Sequence, residues 1–159
     1  MSNKGVAMRA VIQRVSSAGV VVQGASIGAI GSGLMILLGV FKTDERLDAE
    51  LLAEKIVKLR IFSDENGKMN RSVLDVGGEA LVVSNFTLCA NYAHGNRPDY
   101  LNAEVPERAL ELYEYFISLL RGRLRVETGK FGAHMSLSIE NDGPITIVMD
   151  SDVLRKKGK

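Results

Sequence analysis

The chain has 159 residues, 46% of them hydrophobic and 25% charged, with a net charge of +1 at pH 7. That is the size and balance of one globular domain with its own core, and it excludes collagen-like, disordered and coiled-coil chains. Near-neutral charge restricts any nucleic-acid contact to a local patch, and one Cys excludes a disulfide framework and fits a reducing cytoplasm.

Residues 1–7 are polar and precede a second Met at position 8, so they read as an N-terminal extension or tag. The domain is expected over 8–150. Met8 to Val15 carries β-branched residues at strand spacing, and Val20-Val21-Val22 reads as a second strand. Gly24 and Gly28 bracket a turn, with Ile27 and Ile30 continuing a short strand. After Gly31-Ser32-Gly33, the apolar run Leu34 to Phe41 suits a strand covered on both faces. Residues 45–60 are helical by pattern, with Asp44 as N-cap and Ala49, Leu52, Ala53, Ile56 and Leu59 as the apolar stripe.

A polar loop follows with the turn dipeptide Asn66-Gly67, then a break at Gly77-Gly78 and a short strand from Ala80 to Val83. Pro106 opens a second helix whose buried face is Ala109, Tyr113, Phe116, Ile117 and Leu120, and Gly122 ends it. Three strands are expected over 123–127, 134–140 and 144–149. The middle one alternates Met135, Leu137 and Ile139 against His134, Ser136, Ser138 and Glu140. The basic tail 151–159 reads as solvated and disordered, with phosphate contact as the alternative. No run reaches the roughly 18 apolar residues of a membrane span, so no membrane partner is expected. The order of elements points to a single α/β domain of mixed, barrel-like sheets with two helices packed on one face.

Two segments carry candidate chemistry. Ser84-Asn85-Phe86-Thr87-Leu88 follows a buried strand. Its polar residues suit ordinary turn chemistry, or a bend whose backbone N–H groups stabilise an oxyanion in acyl transfer. Asn141-Asp142-Gly143-Pro144-Ile145-Thr146 joins two expected strands. It suits a hairpin turn; if the Gly143–Pro144 bond is cis, it also suits a pair of parallel carbonyls facing an ammonium group. Arg97 is expected in a surface ion pair or on a phosphate, Met135 in the core, and His134 on the surface. Two His and one Cys offer no metal site, and no cofactor is expected.

Together these segments resemble the D-aminoacyl-tRNA deacylase family over Met8 to about Asp150. The opening Met8 to Val15, Leu59-Arg60-Ile61-Phe62, Gly67-Lys68-Met69-Asn70 and Ser72 to Val76 fit its pattern. Ser84 to Leu88 looks like its Ser-Gln-Phe-Thr-Leu signature, and Asn141 to Thr146 matches its Asn-x-Gly-Pro-Val/Ile-Thr signature. Asn85 replaces the usual Gln, and His94 replaces a usual Lys.

The resemblance implies a cytoplasmic homodimer that hydrolyses the ester of D-aminoacyl-tRNA and also of glycyl-tRNA. It implies catalysis around Ser84, Asn85, Phe86 and Thr87. Gly143 and Pro144, joined by a cis bond and lent by the partner subunit, would hold the α-amino group, so that an L side chain meets the wall. Met135 and Arg97 are the candidate adenosine and tRNA contacts. With no metal site and no secured histidine base, the expected reaction is assisted by the tRNA 2′-hydroxyl, with Thr87 as nucleophile the alternative. The competing functions are a non-catalytic RNA-binding module and an unrelated hydrolase pairing Thr87 or Ser84 with a histidine.

Overall fold

The structure, a computed structural model, describes residues 7–157. The expected N-terminal extension lies outside the described residues except for Ala7, which is buried. In chain order the elements are β1 (Arg9–Val22), β2 (Ala25–Ile30), β3 (Gly33–Gly39), α1 (Arg46–Lys58), β4 (Phe62–Ser63), β5 (Met69–Arg71) and β6 (Glu79–Ser84). Then come a 3-10 turn (Phe86–Cys89), α2 (Pro106–Arg121), β7 (Val126–Thr128), β8 (Ser136–Asp150) and α3 (Ser151–Lys157).

A six-stranded mixed sheet runs β2-β1-β3-β6-β7, with β8 also paired to β1. The β3–β6 and β6–β7 pairs are parallel, and the rest of this sheet is antiparallel. Its two ends nearly meet. A Cβ on Gly28 of β2 would lie 2.9 Å from the Thr128 carbonyl oxygen of β7, so the sheet curls into a nearly closed barrel. The turn before β2 is Gln23-Gly24, both at positive φ, and Gly28 lies inside the strand rather than bracketing the turn.

β3 is covered on both faces, as its unbroken apolar run requires. Leu34, Ile36 and Leu38 pack with Ala10, Ile12, Val82 and the helices, while Met35 packs with Val15, Val20 and Leu81. The strand ends at Gly39, short of Phe41, which instead bridges to Ala103. In α1 the buried stripe includes Val57, and Leu59 is the C-cap. In α2, Leu112 joins Tyr113, Phe116, Ile117 and Leu120 in the buried face, with Ala109 at its margin. Pro106 opens that helix and Gly122 closes it, because Pro lacks the N–H that a first turn leaves unpaired.

Four sequence expectations change. First, the two expected strands at the N-terminus are one. Polar Ser16 and Ser17 interrupt the apolar pattern at a pairing irregularity, and the ladder to β8 continues through it. Second, the strands expected at 134–140 and 144–149 are likewise one, β8, and strand β7 is shorter and later than the expected 123–127.

Third, Asp44 does not cap α1. Glu45 is the N-cap, and its N–H donates to the Asp48 carboxylate at 2.7 Å. Asp44 is buried and accepts the N–H of Met8 at 2.9 Å and of Phe41 at 2.7 Å. Burial pushes its carboxyl up to about 7 against those two bonds.

Fourth, the start of the expected free tail is a third helix, α3. Ser151 donates to Asp48 at 2.7 Å, and Arg155 grips both Asp48 oxygens at 2.8 and 2.9 Å. Burial opposes the charge on Asp48, yet the Arg155 guanidinium and these bonds hold its carboxyl below the usual range. Among the described residues no helix is long and apolar enough to cross a membrane.

Candidate active site

A cleft of about 730 Å³ opens where the parallel strands β3 and β6 end, the region in which such sheets usually place ligands. Leu37, Val83 and Leu137 form its apolar floor. Ser84, Asn85, Phe86 and Thr87 form one wall, and the glycine-punctuated segment 131–135 forms another. The structure brings the first signature and Met135 to one cleft. Met135 packs against the core cluster that contains Met35, Leu81 and Val83, and it also lines the cleft.

The first signature bends because Asn85 side-chain chemistry competes with further strand. Its Oδ1 accepts the Thr87 N–H at 3.3 Å and also the Thr87 hydroxyl. This starts the 3-10 turn, and the Leu88 N–H closes on the Asn85 carbonyl at 3.2 Å. Gly39 makes room: a Cβ there would sit 2.9 Å from the Leu88 Cβ and 3.3 Å from the Asn85 carbonyl oxygen. The turn is thus pressed directly onto the end of β3.

This geometry sorts the backbone donors. The Asn85 N–H, expected as an oxyanion donor, is already given to the Leu38 carbonyl at 2.8 Å. The Thr87 N–H is held by Asn85. The N–H of Phe86 has no acceptor among the described residues, as befits the first residue of the turn. The Phe86 ring is 58% exposed and meets Tyr100 edge-on at 5.0 Å. Tyr100 also lines the cleft. It went unnoticed in the sequence, where its one signal is an aromatic residue closing the Arg97-Pro98 loop.

The candidate side-chain nucleophiles are poorly served. The Thr87 hydroxyl bonds an amide oxygen, which is no base. Cys89 is buried, its thiol pushed up to about 12 by burial, and it donates to the Val40 carbonyl. His134 is exposed, as expected, but it also lines the cleft. Among the described residues no group of three or more His, Cys, Asp or Glu is placed to hold a metal ion. Glu104, the acid of the lining, is paired with Arg108 at 2.9 Å.

The second signature lies elsewhere. Gly143 and Pro144 are exposed and joined by a cis bond, and neither lines the cleft of its own chain. They ride an outward excursion of β8: from Gln13 to Val15 two steps along β1 answer five along β8, from Thr146 to Asn141. Side chains clamp the excursion at its base. Asn141 accepts the Ile145 N–H at 2.8 Å and donates to the Ile145 carbonyl at 3.1 Å. Arg14 donates to the Asp142 carbonyl at 2.9 Å and to the Ile61 carbonyl at 2.8 Å. Arg14 was missed as a supporting residue, because its partners lie far off in sequence. Arg97 is exposed, and the ion pair expected for it is absent among the described residues.

The geometry has known counterparts. A family model described as D-Tyr-tRNA(Tyr) deacylase matches residues 11–150. The D-aminoacyl-tRNA deacylase of Chloroflexus aurantiacus is 58% identical over 149 residues, 93% of this chain and 93% of that one. That of Persephonella marina is 55% identical over 147 residues, 92% of this chain and all of that one. Among solved structures, a c-Myc DNA unwinding element binding protein matches 89% of this chain and 97% of its own, with a TM-score of 0.85 and 43% identity. A probable eukaryotic D-amino acid tRNA deacylase matches 90% of this chain and 98% of its own, with a TM-score of 0.73; at 18% identity that likeness concerns the fold.

Proposed function

The chain belongs to the D-Tyr-tRNA(Tyr) deacylase family, and from that footing we propose how its cleft discharges D-aminoacyl-tRNA. As a member it is a hydrolase of the aminoacyl-tRNA ester bond. Water adds to the ester carbonyl, the bond to the ribose 3′-oxygen breaks, and free D-amino acid and tRNA leave in the cytoplasm. The observation that carries this reading is the Phe86 N–H at the cleft wall, without an acceptor among the described residues and so a donor for the developing oxyanion. The neighbouring ribose 2′-hydroxyl assists the water, and the protein contributes position and a dipole.

Handedness is read by a second subunit. The Gly143–Pro144 excursion is exposed, clamped by Arg14 and Asn141, and free of its own chain's cleft, so it is available to a partner's. The outer edge of β8 pairs with no strand among the described residues and exposes Ile139 and Val148, an edge suited to a second copy. The partner's Gly143 and Pro144 carbonyls hold the α-amino group. With carbonyl and amino group both fixed, an L side chain points into the wall and a D side chain points out. Glycine meets no clash, so glycyl-tRNA is also discharged. Met135, on the cleft lining, contacts the adenosine, and the exposed Arg97 contacts the tRNA.

His134 on the cleft wall favours a second reading, a histidine-assisted hydrolase. One assay separates these. D- and L-aminoacyl-tRNA with the same side chain are incubated with the protein, with glycyl-tRNA alongside. Release from the D and glycyl esters alone is expected. Binding without release would make the protein a non-catalytic RNA module, and equal release from D and L would favour the second reading. His134→Ala retains turnover under the first reading and loses it under the second.

A further inference from the structure

The wall of the cleft beyond Phe86 continues into a loop that catalysis does not use. Asn91 and Asp99 exchange backbone bonds at 2.8 and 2.9 Å, and these close the segment 92–98 into a fixed loop. The Asn91 Oδ1 stiffens its start by accepting the Ala93 N–H at 3.2 Å. This loop holds Tyr92 at 80% exposure, with no ring partner among the described residues. It also carries the exposed Arg97. Lys42 is tied to the same wall through its N–H on the Asn102 carbonyl at 2.9 Å, and it too has no ion pair among the described residues. Where the loop rejoins the chain it becomes Tyr100, whose ring stacks edge-on to Phe86 at the cleft mouth.

The segments that lead into the cleft therefore carry an exposed aromatic ring and two cations that make no ion pair among the described residues, while Asp99, the acid of the loop, accepts the Leu101 N–H at 3.2 Å. The cleft acid Glu104 is already neutralised by Arg108 and does not offset them. An aromatic face beside free cations complements a single-stranded polynucleotide, which offers base faces and phosphates in turn. A second copy of this chain would bring the same positive charges to the contact.

We propose that the loop 92–98 is a docking platform for the unpaired nucleotides that precede the esterified 3′-terminal adenosine. Tyr92 stacks on a base, and Arg97 and Lys42 meet backbone phosphates. The proposal rests on the reading that the cleft takes an aminoacyl-RNA end, and it adds where the strand behind that end lies.

The test compares wild type and Tyr92→Ala on two esters of the same D-amino acid, one on full tRNA and one on adenosine alone. With tRNA, kcat/KM falls about 5- to 160-fold, the range of one lost base stack. With the adenosine ester it stays at the wild-type value, because the upstream nucleotides are missing. Tyr92→Phe keeps the ring and restores wild-type behaviour on tRNA. Arg97→Ala and Lys42→Ala each flatten the salt dependence of tRNA binding by about 0.7 in log–log slope, the share of one phosphate on a single strand.

An unchanged rate on tRNA, or an equal fall on both esters, overturns the proposal. So does a change of oligomeric state in Tyr92→Ala by sedimentation, which would mean that the loop faces another copy. If wild type cleaves neither ester, the hydrolase reading fails separately. Direct binding of a short single-stranded RNA then decides the platform: weaker binding by Tyr92→Ala upholds it, and equal binding refutes it.

Discussion

The two signature segments sit on opposite kinds of strand. Ser84 to Leu88 leaves the end of β6, a buried strand in parallel pairing, and is pressed onto β3 through Gly39. Gly143-Pro144 rides an edge strand in antiparallel pairing and stands out from it. The first is held by the core and turns inward to its own cleft. The second is held by side chains and turns outward. A rigid inward donor suits bond cleavage, whereas an outward excursion suits delivery to a neighbour, and the proposed composite site rests on that contrast.

This contrast is best broken at the inward segment. Phe86→Pro deletes the free N–H at the first position of a turn, where Pro is tolerated, and leaves the fold in place. Turnover of D-aminoacyl-tRNA is expected to fall about 100- to 1,000-fold, the cost of one oxyanion donor. Phe86→Ala keeps the N–H and loses far less, which a steady-state comparison of the two variants would reveal.

At the outward segment, Gly143 has φ of 152°, and a Cβ there would come within 2.6 Å of the Ile145 nitrogen. Gly143→Ala must displace the excursion. A loss of about 100-fold on D-aminoacyl-tRNA is expected, as for a misplacement of about 1 Å, with the D-over-L ratio reduced in the same assay.

Thr87→Ala sharpens the contrast from the other side. Among the described residues its hydroxyl bonds the Asn85 amide alone, so turnover stays within about tenfold of wild type, while loss of a covalent nucleophile would cost about a millionfold.

A separate effect, on stability rather than turnover, lies away from both segments. Asp44 ionises near pH 7 when folded but near its ordinary 3.8 when unfolded, so the native state binds the extra proton between those values. Stability therefore falls as pH rises from about 4 to 7 and is level above that. Asp44→Asn flattens this slope in urea-unfolding midpoints.

Much of the fold follows from local pattern. The stripe of α1, Pro106 and Gly122 around α2, and the unbroken run of β3 each depend on neighbours within a few residues. What escaped is non-local. β1 and β8 read as broken because Ser16-Ser17 and Gly143-Pro144 interrupt alternation, yet each is carried across the gap by the other. Helix α3 is anchored by Arg155 on Asp48, 107 positions away.

The site divides the same way. The two segments were visible as residue types, but the choice among their donors was not. That choice depends on Leu38 occupying the Asn85 N–H and on Asn85 occupying the Thr87 N–H.

The central claim is that one subunit cuts while the other judges handedness. Co-expressing Phe86→Pro with Gly143→Ala, each nearly inactive alone, tests it most directly. A two-fold dimer that mixes freely should recover about a quarter of wild-type D-specific turnover, since each mixed dimer holds one intact composite site. Mixed dimers, isolated by two tags and as inactive as their parents, would contradict it.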